Sequence, residues 1–307
     1  MKDIKVIFMG TPDFAVPILE DLITYANVVL VVTQPDKEVG RKKEISYSPV
    51  KRLALEKNIS VFQPVKIKDD YEVISECNPD IIVTCAFGQI LPESILNIPR
   101  LGCINIHASL LPKYRGATPM QGAILNGDDK TGITIMYMDK KMDTGDIISY
   151  KGCDILPEDN IGTLHDKLSL LGKDLLKETL PKIIEGTNDR IKQDDSKATY
   201  TKLIKREDEL LDFNKDGKSI INKIRAFNPW PLAYFVYDQN EIKVIEAKFI
   251  PDNNSVVNKV IINKKEMLIG CKDGYISLLK VKPQGKKIMD ISSYLNGIKS
   301  KGDDYIG

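Results

Sequence analysis

Only two histidines occur among the 307 residues, His107 and His165, and His107 stands beside groups that do chemistry. It closes the run Cys103-Ile104-Asn105-Ile106-His107, where the period of two puts Asn105 and His107 on one face of a strand. Asp143 follows thirty-six positions later, in Met142-Asp143-Thr144-Gly145-Asp146, and brings a carboxylate from another element. An amide donor, an imidazole and a carboxylate together suit acyl transfer. The amide binds a developing oxyanion, the imidazole moves or stabilises charge, and the carboxylate orients the imidazole. No serine or cysteine occupies a nucleophile elbow, so the attacking group has to belong to the substrate. By spacing alone, the set reads either as such a site or as a satisfied core histidine with polar neighbours.

These residues need a scaffold, and the first two thirds of the chain describe one. Ile4–Met9 reads as a buried strand, followed by a turn in which Thr11 is expected to cap a helix starting at Pro12. Further apolar strands are expected at Val28–Thr33, Val61–Phe62 and Ile81–Cys85, with helices over Ser48–Asn58 and Tyr71–Cys77 between them. Continuous apolar strands alternating with helices predict a parallel, Rossmann-like doubly wound α/β sheet. The first turn, Gly10-Thr11-Pro12-Asp13-Phe14, carries neither GxGxxG nor a Walker lysine, which disfavours NAD and ATP chemistry. Ligands of such sheets still collect beyond the carboxyl ends of the strands.

The texture changes near Arg190. Lys192–Lys202 is polar and lysine-rich and reads as a linker. Beyond it, a helix at Ile220–Phe227 precedes short strands at Ala233–Tyr237, Ile242–Phe249, Lys259–Ile262, Met267–Gly270 and Tyr275–Val281. That spacing predicts a small OB-like β-barrel. The expected division is therefore 1–189, a linker at 190–207, and a barrel at 208–307.

Forty-four basic and forty-three acidic side chains leave a net charge of +1, which excludes a global polycation. From Lys205 onward, 18 basic residues face 14 acidic ones (+4), leaving 26 against 29 (−3) before it. The five cysteines are scattered, with no CxxC, so neither a disulfide scaffold nor a metal site is expected. No signal-peptide core or apolar run of membrane-spanning length is visible, and the expectation is a cytoplasmic protein without membrane contact.

A longer stretch is more specific than any of these signals. Ser109-Leu110-Leu111-Pro112-Lys113-Tyr114-Arg115-Gly116-Ala117-Thr118-Pro119 resembles the signature of the folate-dependent formyltransferases. Its flanks agree: Asn105-Ile106-His107-Ala108 before it, and Thr131-Gly132-Ile133-Thr134 through Asp146 after it. Phe87-Gly88-Gln89-Ile90-Leu91-Pro92 is similar to the family's folate-pocket strand end. Within the family, Ile7–Ala15, Gln34-Pro35-Asp36-Lys37 and Ala226-Phe227-Asn228-Pro229-Trp230-Pro231 resemble the branch that acts on Met-tRNA. The resemblance spans the whole chain. It implies transfer of the formyl group of 10-formyltetrahydrofolate to the α-amino group of methionine on initiator tRNA, without a metal and by a monomer. It also implies Asn105, His107 and Asp143 as the catalytic trio. Phe87, Gly88, Ile90, Leu91, Ser109, Leu110, Leu111, Pro112 and Asp143 are then the folate contacts.

The same likeness makes Arg41, Lys42, Lys43 and Arg115 candidate substrate contacts, with Lys37–Lys51 an insertion reaching the tRNA acceptor stem. Lys42 and Glu44 depart from the family's usual Gly-Arg-Gly-Lys-Lys-Leu run. The bland alternative for this loop is a solvated charged face. For the remaining residues, His165 is expected to be structural, Asp146 to pin the turn of Asp143, and Trp230 to pack in a core. Rival functions are formylation of an amino-sugar nucleotide or another small amine, formyltetrahydrofolate hydrolysis, and an idle folate- or RNA-binding module. The intact trio argues against the last.

Overall fold

The computed structural model describes residues 1–40, 43–263, 265–297 and 304–306. The chain divides into two compact units: 1–119 with 130–153 and 165–201, and 120–129 with 154–164 and 202–307. The first unit thus extends to Thr201, through two thirds of the segment expected as a linker.

In the first unit, β1 (Lys5–Gly10) leads through a short 3-10 turn, Asp13–Ala15, into α1 (Val16–Tyr25) and β2 (Asn27–Val32). A small hairpin follows, β3 (Lys37–Val39) and β4 (Glu44–Ser46), then α2 (Pro49–Glu56) and β5 (Val61–Phe62). Next come α3 (Glu72–Glu76), β6 (Ile81–Cys85), α4 (Glu93–Leu96), β7 (Cys103–His107) and the two-residue β8 (Arg115–Gly116). The chain then leaves for α5 (Pro119–Asn126), whose residues from 120 on belong to the second unit, and returns with β9 (Lys130–Tyr137), β10 (Ile147–Asp154), the long α6 (Ile161–Glu185), whose first turn again belongs to the second unit, and β11 (Tyr200–Thr201).

The main sheet has the order β10-β9-β7-β6-β1-β2-β5. Strands β5, β2, β1, β6 and β7 are parallel, as their continuous apolar runs predict. β9 departs from the expected parallel sheet and lies antiparallel to β7. Val6, Ile7, Phe8 and Met9 on β1 are completely buried, as strands covered on both faces must be. Each such side chain contributes about 1.5–3 kcal/mol of burial free energy. Because β2 and β6 flank β1 on opposite sides, the strand order reverses there and opens a crevice at the carboxyl ends.

The helix start at Thr11 differs from expectation. The Thr11 hydroxyl donates to the Phe87 carbonyl (3.0 Å) and accepts from the Gln34 N–H (3.3 Å), so it ties loops together instead of capping. Ser48 does cap α2, accepting from the Lys51 N–H.

The second unit contains α7 (Gly217–Phe227), capped by Asp216, which accepts from the Ser219 N–H at 2.9 Å. Ile220, Ile224 and Phe227 form its buried stripe. The strands are β12 (Tyr234–Tyr237), β13 (Asn240–Pro251), β14 (Lys259–Ile262), β15 (Met267–Cys271), β16 (Gly274–Pro283), β17 (Met289–Asp290) and β18 (Asp304–Tyr305), with α8 (Ile291–Leu295) after β17. They form a curled antiparallel sheet ordered β12-β13-β16-β15-β14-β18, a half-barrel on the described pairings. Trp230 is 74% exposed, contrary to the expected core position. Phe213 and Phe235 fill the core instead, edge to face at 6.0 Å.

Candidate active site

The catalytic residues expected from the sequence come together in the first unit, where β7 ends. Asn105 sits on β7 opposite Thr84 of β6, a register that the parallel ladder fixes. The Thr84 hydroxyl shares its one proton between Asn105 Oδ1, at 2.8 Å, and the Ile104 carbonyl, at 3.0 Å. This sets the amide's orientation and leaves the Nδ2 hydrogens without a partner among the described residues. Two residues on, His107 is 6% exposed. Its Nε2 lies 2.9 Å from the Tyr114 carbonyl, which can only accept, so Nε2 carries the proton. Nδ1 is thereby the nitrogen that faces Asp143 Oδ2, 3.7 Å away.

Asp143 is held at both its side chain and its backbone. Its φ of 56° is left-handed, a conformation that a non-glycine residue keeps only when its surroundings impose it. Oδ2 accepts the Gly116 N–H at 2.7 Å. Gly116 itself has φ 111°, and a Cβ there would lie 2.4 Å from the Thr201 carbonyl oxygen. Only glycine lets β8 run this close to β11 while directing its N–H at Asp143. Asp146 forms an ion pair with Arg190, Oδ2 to Nε 3.4 Å, and its carbonyl receives the Tyr137 N–H, so it steadies the same turn.

The segment Ser109–Pro112 leaves the end of β7 and is pinned from β9. Thr134 Oγ1 donates to the Ser109 carbonyl (2.7 Å) and accepts the Leu111 N–H (3.1 Å). Ser109 is buried and donates to the Lys113 carbonyl at 2.6 Å. Leu111 packs with Met136 and Ile147. Beyond β6, Phe87 and Leu91 are buried while Ile90 between them is 70% exposed; Gly88 adopts φ 88°. The Phe87 carbonyl is anchored by Thr11 and by Gln34 Nε2 (3.1 Å). An exposed aliphatic rim over an anchored, partly polar loop at a strand end fits a flat heteroaromatic ring such as a pterin. Among the described residues, no group of three or more His, Cys, Asp or Glu side chains could hold a metal.

The candidate tRNA contacts fare differently. Arg41 and Lys42 lie outside the described residues. Lys43 is exposed and lies 3.4 Å from Glu38 on the same hairpin. The hairpin's base is held by Lys51 Nζ, 2.6 Å from Asp36 Oδ2 and 2.7 Å from Gln63 Oε1. Hydrogen bonds from Lys51 and then Gln63 hold the Asp36 carboxyl below its ordinary range.

Arg115, expected as a substrate contact, is engaged inside the first unit. It is only 1% exposed, and its guanidinium is engaged by Gln193 Oε1 (3.0 and 2.8 Å), Asp195 Oδ1 (2.7 Å) and the Tyr200 hydroxyl (3.3 Å). It binds the 193–200 segment into the first unit. Sequence reasoning missed Thr84, Thr134 and Gln193. Nothing local marks the first two, but a buried threonine beside a candidate amide can be sought once a strand register is assumed. Gln193 was hidden inside the polar run read as a linker. His165 packs edge to face on Phe14 at 5.3 Å, in keeping with a structural role.

The description "Formyl transferase" matches residues 2–180, and "Formyl transferase, C-terminal domain" matches residues 203–299. The methionyl-tRNA formyltransferase of Staphylococcus epidermidis is 50% identical over 299 residues, covering 96% of each chain. That of Staphylococcus aureus is 48% identical over 301 residues, covering 96% of this chain and 97% of the relative. Among solved structures, an N-formyltransferase from Helicobacter canadensis in complex with folinic acid and dTDP-3-aminofucose superposes with a TM-score of 0.68 at 22% identity, covering 91% of this chain and all of that one. HypX from Aquifex aeolicus in complex with tetrahydrofolic acid gives 0.61 at 15% identity, over 97% of this chain and 47% of that one. At those identities the two structures speak for the fold. Matched in order by both halves of the family and nearly half identical to its Met-tRNA members from end to end, this chain belongs to the formyl transferase family, on its methionyl-tRNA formyltransferase branch.

Proposed function

We propose that the protein transfers the formyl group of 10-formyltetrahydrofolate to the α-amino group of methionine on initiator Met-tRNA. The observation that carries this is the identity of about half with methionyl-tRNA formyltransferases over nearly the full length. The sugar formyltransferases are far more distant, at 20–23%.

The site geometry supports a direct route. The unprotonated amine attacks the formyl carbon, forming the new C–N bond and a tetrahedral oxyanion. Asn105 donates an Nδ2 hydrogen to that oxygen, since Thr84 already occupies Oδ1. His107 keeps Nε2–H on the Tyr114 carbonyl, and in its doubly protonated form, with the Asp143 carboxylate offsetting the charge, its Nδ1–H donates to the developing oxyanion. Asp143 takes the amine proton, and the proton passes to N10 of the folate as the old C–N10 bond breaks. Tetrahydrofolate and formyl-Met-tRNA leave. Phe87, Ile90, Leu91 and Ser109–Pro112 form the walls that hold the pterin end.

The tRNA itself is gripped by Arg41, Lys42 and Lys43 and by the stretch from Lys205 onward, which carries the +4 charge and whose binding weakens as salt rises. The protein acts as a monomer in the cytoplasm; no helix among the described residues is long and apolar enough to cross a membrane. The test is incubation with 10-formyltetrahydrofolate and, in parallel, charged initiator Met-tRNA, uncharged tRNA or an amino-sugar nucleotide. Formyl-Met-tRNA as the product supports the reading. A formylated sugar, or free formate without any acceptor, refutes it.

A further inference from the structure

Gln193 lies in the polar stretch after α6 and is only half-buried, yet every hydrogen-bonding valence of its side chain is used. Nε2 donates to two backbone carbonyls of the catalytic turn, Asp143 (2.9 Å) and Gly145 (2.8 Å). Oε1 accepts twice from Arg115, from Nε and Nη2. Arg115 is the residue before Gly116, whose N–H holds the Asp143 carboxylate. One amide therefore joins the two loops that meet at Asp143, grasping one by its carbonyls and the other through a buried guanidinium. The clasp sits where strain needs restraint, because Asp143 keeps a left-handed φ of 56° and Tyr114, whose carbonyl fixes His107, keeps one of 59°.

We infer that Gln193 is a positioning residue for formyl transfer: it holds the Asp143 turn at the distance and angle that His107 and the substrate amine require. The inference rests on the catalytic role assigned to Asp143. Gln193 touches neither reacting group in this arrangement and acts through the backbone it grips. A glutamine is suited to the task because it donates twice and accepts twice in one plane. A glutamate of the same shape keeps the acceptor for Arg115 but turns an acceptor oxygen toward two carbonyls.

That difference supplies the experiment. Gln193→Glu and Gln193→Ala are compared with wild type and with Asp143→Asn in steady-state transfer from 10-formyltetrahydrofolate to Met-tRNA, alongside thermal melting. Imidazole signals of His107 are followed by NMR, where only His165 shares the histidine region. Displacement of a catalytic group by about 1 Å costs on the order of 100-fold, and a drop of that size in kcat with KM little changed is expected for both Gln193 variants. The His107 signals should move in both, and Gln193→Glu keeps the Arg115 partner that Gln193→Ala loses. Wild-type kcat and unmoved His107 signals in Gln193→Glu, with Asp143→Asn inactive, would reduce Gln193 to a structural tether and overturn the inference. An active Asp143→Asn would overturn the catalytic reading itself.

Discussion

Replacing Thr84 with valine isolates one hydrogen bond of the active site. Thr84 is 3% exposed, and valine keeps its branched shape while deleting the hydroxyl that lies 2.8 Å from Asn105 Oδ1 and 3.0 Å from the Ile104 carbonyl. A neutral hydrogen bond of this kind has a net worth of about 0.5–1.5 kcal/mol, and the acceptor left behind raises the cost toward the upper end. For a unit of this size, each 1 kcal/mol corresponds to about 2–4 °C in Tm. The larger consequence is kinetic. Without the threonine proton, the Asn105 amide loses the contact that selects its orientation, and Nδ2 is no longer committed to the oxyanion. A loss of about 1.4 kcal/mol in the transition state is tenfold in rate. Removing the donor altogether, as in Asn105→Ala, should cost about 2.7–4 kcal/mol. The assay is single-turnover formyl transfer in a double-mutant cycle. Thr84→Val should slow transfer about tenfold in the wild-type background and hardly at all in Asn105→Ala, because the effect passes through that amide. Equal slowing in both backgrounds, or none in the first, refutes the orientation argument.

Gly116→Ala should lower both stability and kcat, since φ 111° is unfavourable for alanine and its Cβ would meet the Thr201 carbonyl at 2.4 Å. A strain of about 1–3 kcal/mol is expected, and wild-type melting and turnover would show that β8 relaxes freely. Arg41→Ala should raise KM for Met-tRNA and leave KM for 10-formyltetrahydrofolate alone, and a salt series with unchanged tRNA kinetics would count against a tRNA contact by Arg41. The fourth prediction concerns acid. The Lys5 N–H and then Arg100 hold the Asp80 carboxyl below its ordinary value of 3.8. A depressed folded value stabilises the protein at pH above the unfolded value, and that contribution disappears as pH falls through the folded one. The Tm difference between wild type and Asp80→Asn should therefore be largest near neutrality and shrink below pH 3.8; a constant gap would contradict the linkage.

Several features were legible in the chain because their causes are local. Continuous apolar runs such as Val6–Met9 and Ile81–Cys85 have to be buried on both faces, which selects a parallel sheet with helical crossovers. Alternation on β7 put Asn105 and His107 together, and the helix expected over Ser48–Asn58 is α2. The motif from Ser109 to Pro119 carried the family resemblance. Local rules misled where a side chain found a distant partner. Thr11 has the type of a cap but bonds to Phe87, 76 positions away, and Trp230 between prolines looks like core but faces solvent.

The sequence by itself determined which groups the site contains, because amide, imidazole and carboxylate are written in its residue types and strand alternation follows from the polypeptide's geometry. Only the tertiary structure decided what each group can do. Thr84 chooses which end of Asn105 is free, the Tyr114 carbonyl chooses which nitrogen of His107 is protonated, and Gly116 with Gln193 places Asp143. These partners lie on other strands and loops, up to 50 positions from the residue they control. A hydrogen bond depends on atoms within about 3 Å and in line. No property of the chain's order encodes that proximity until the sheet has brought the segments together.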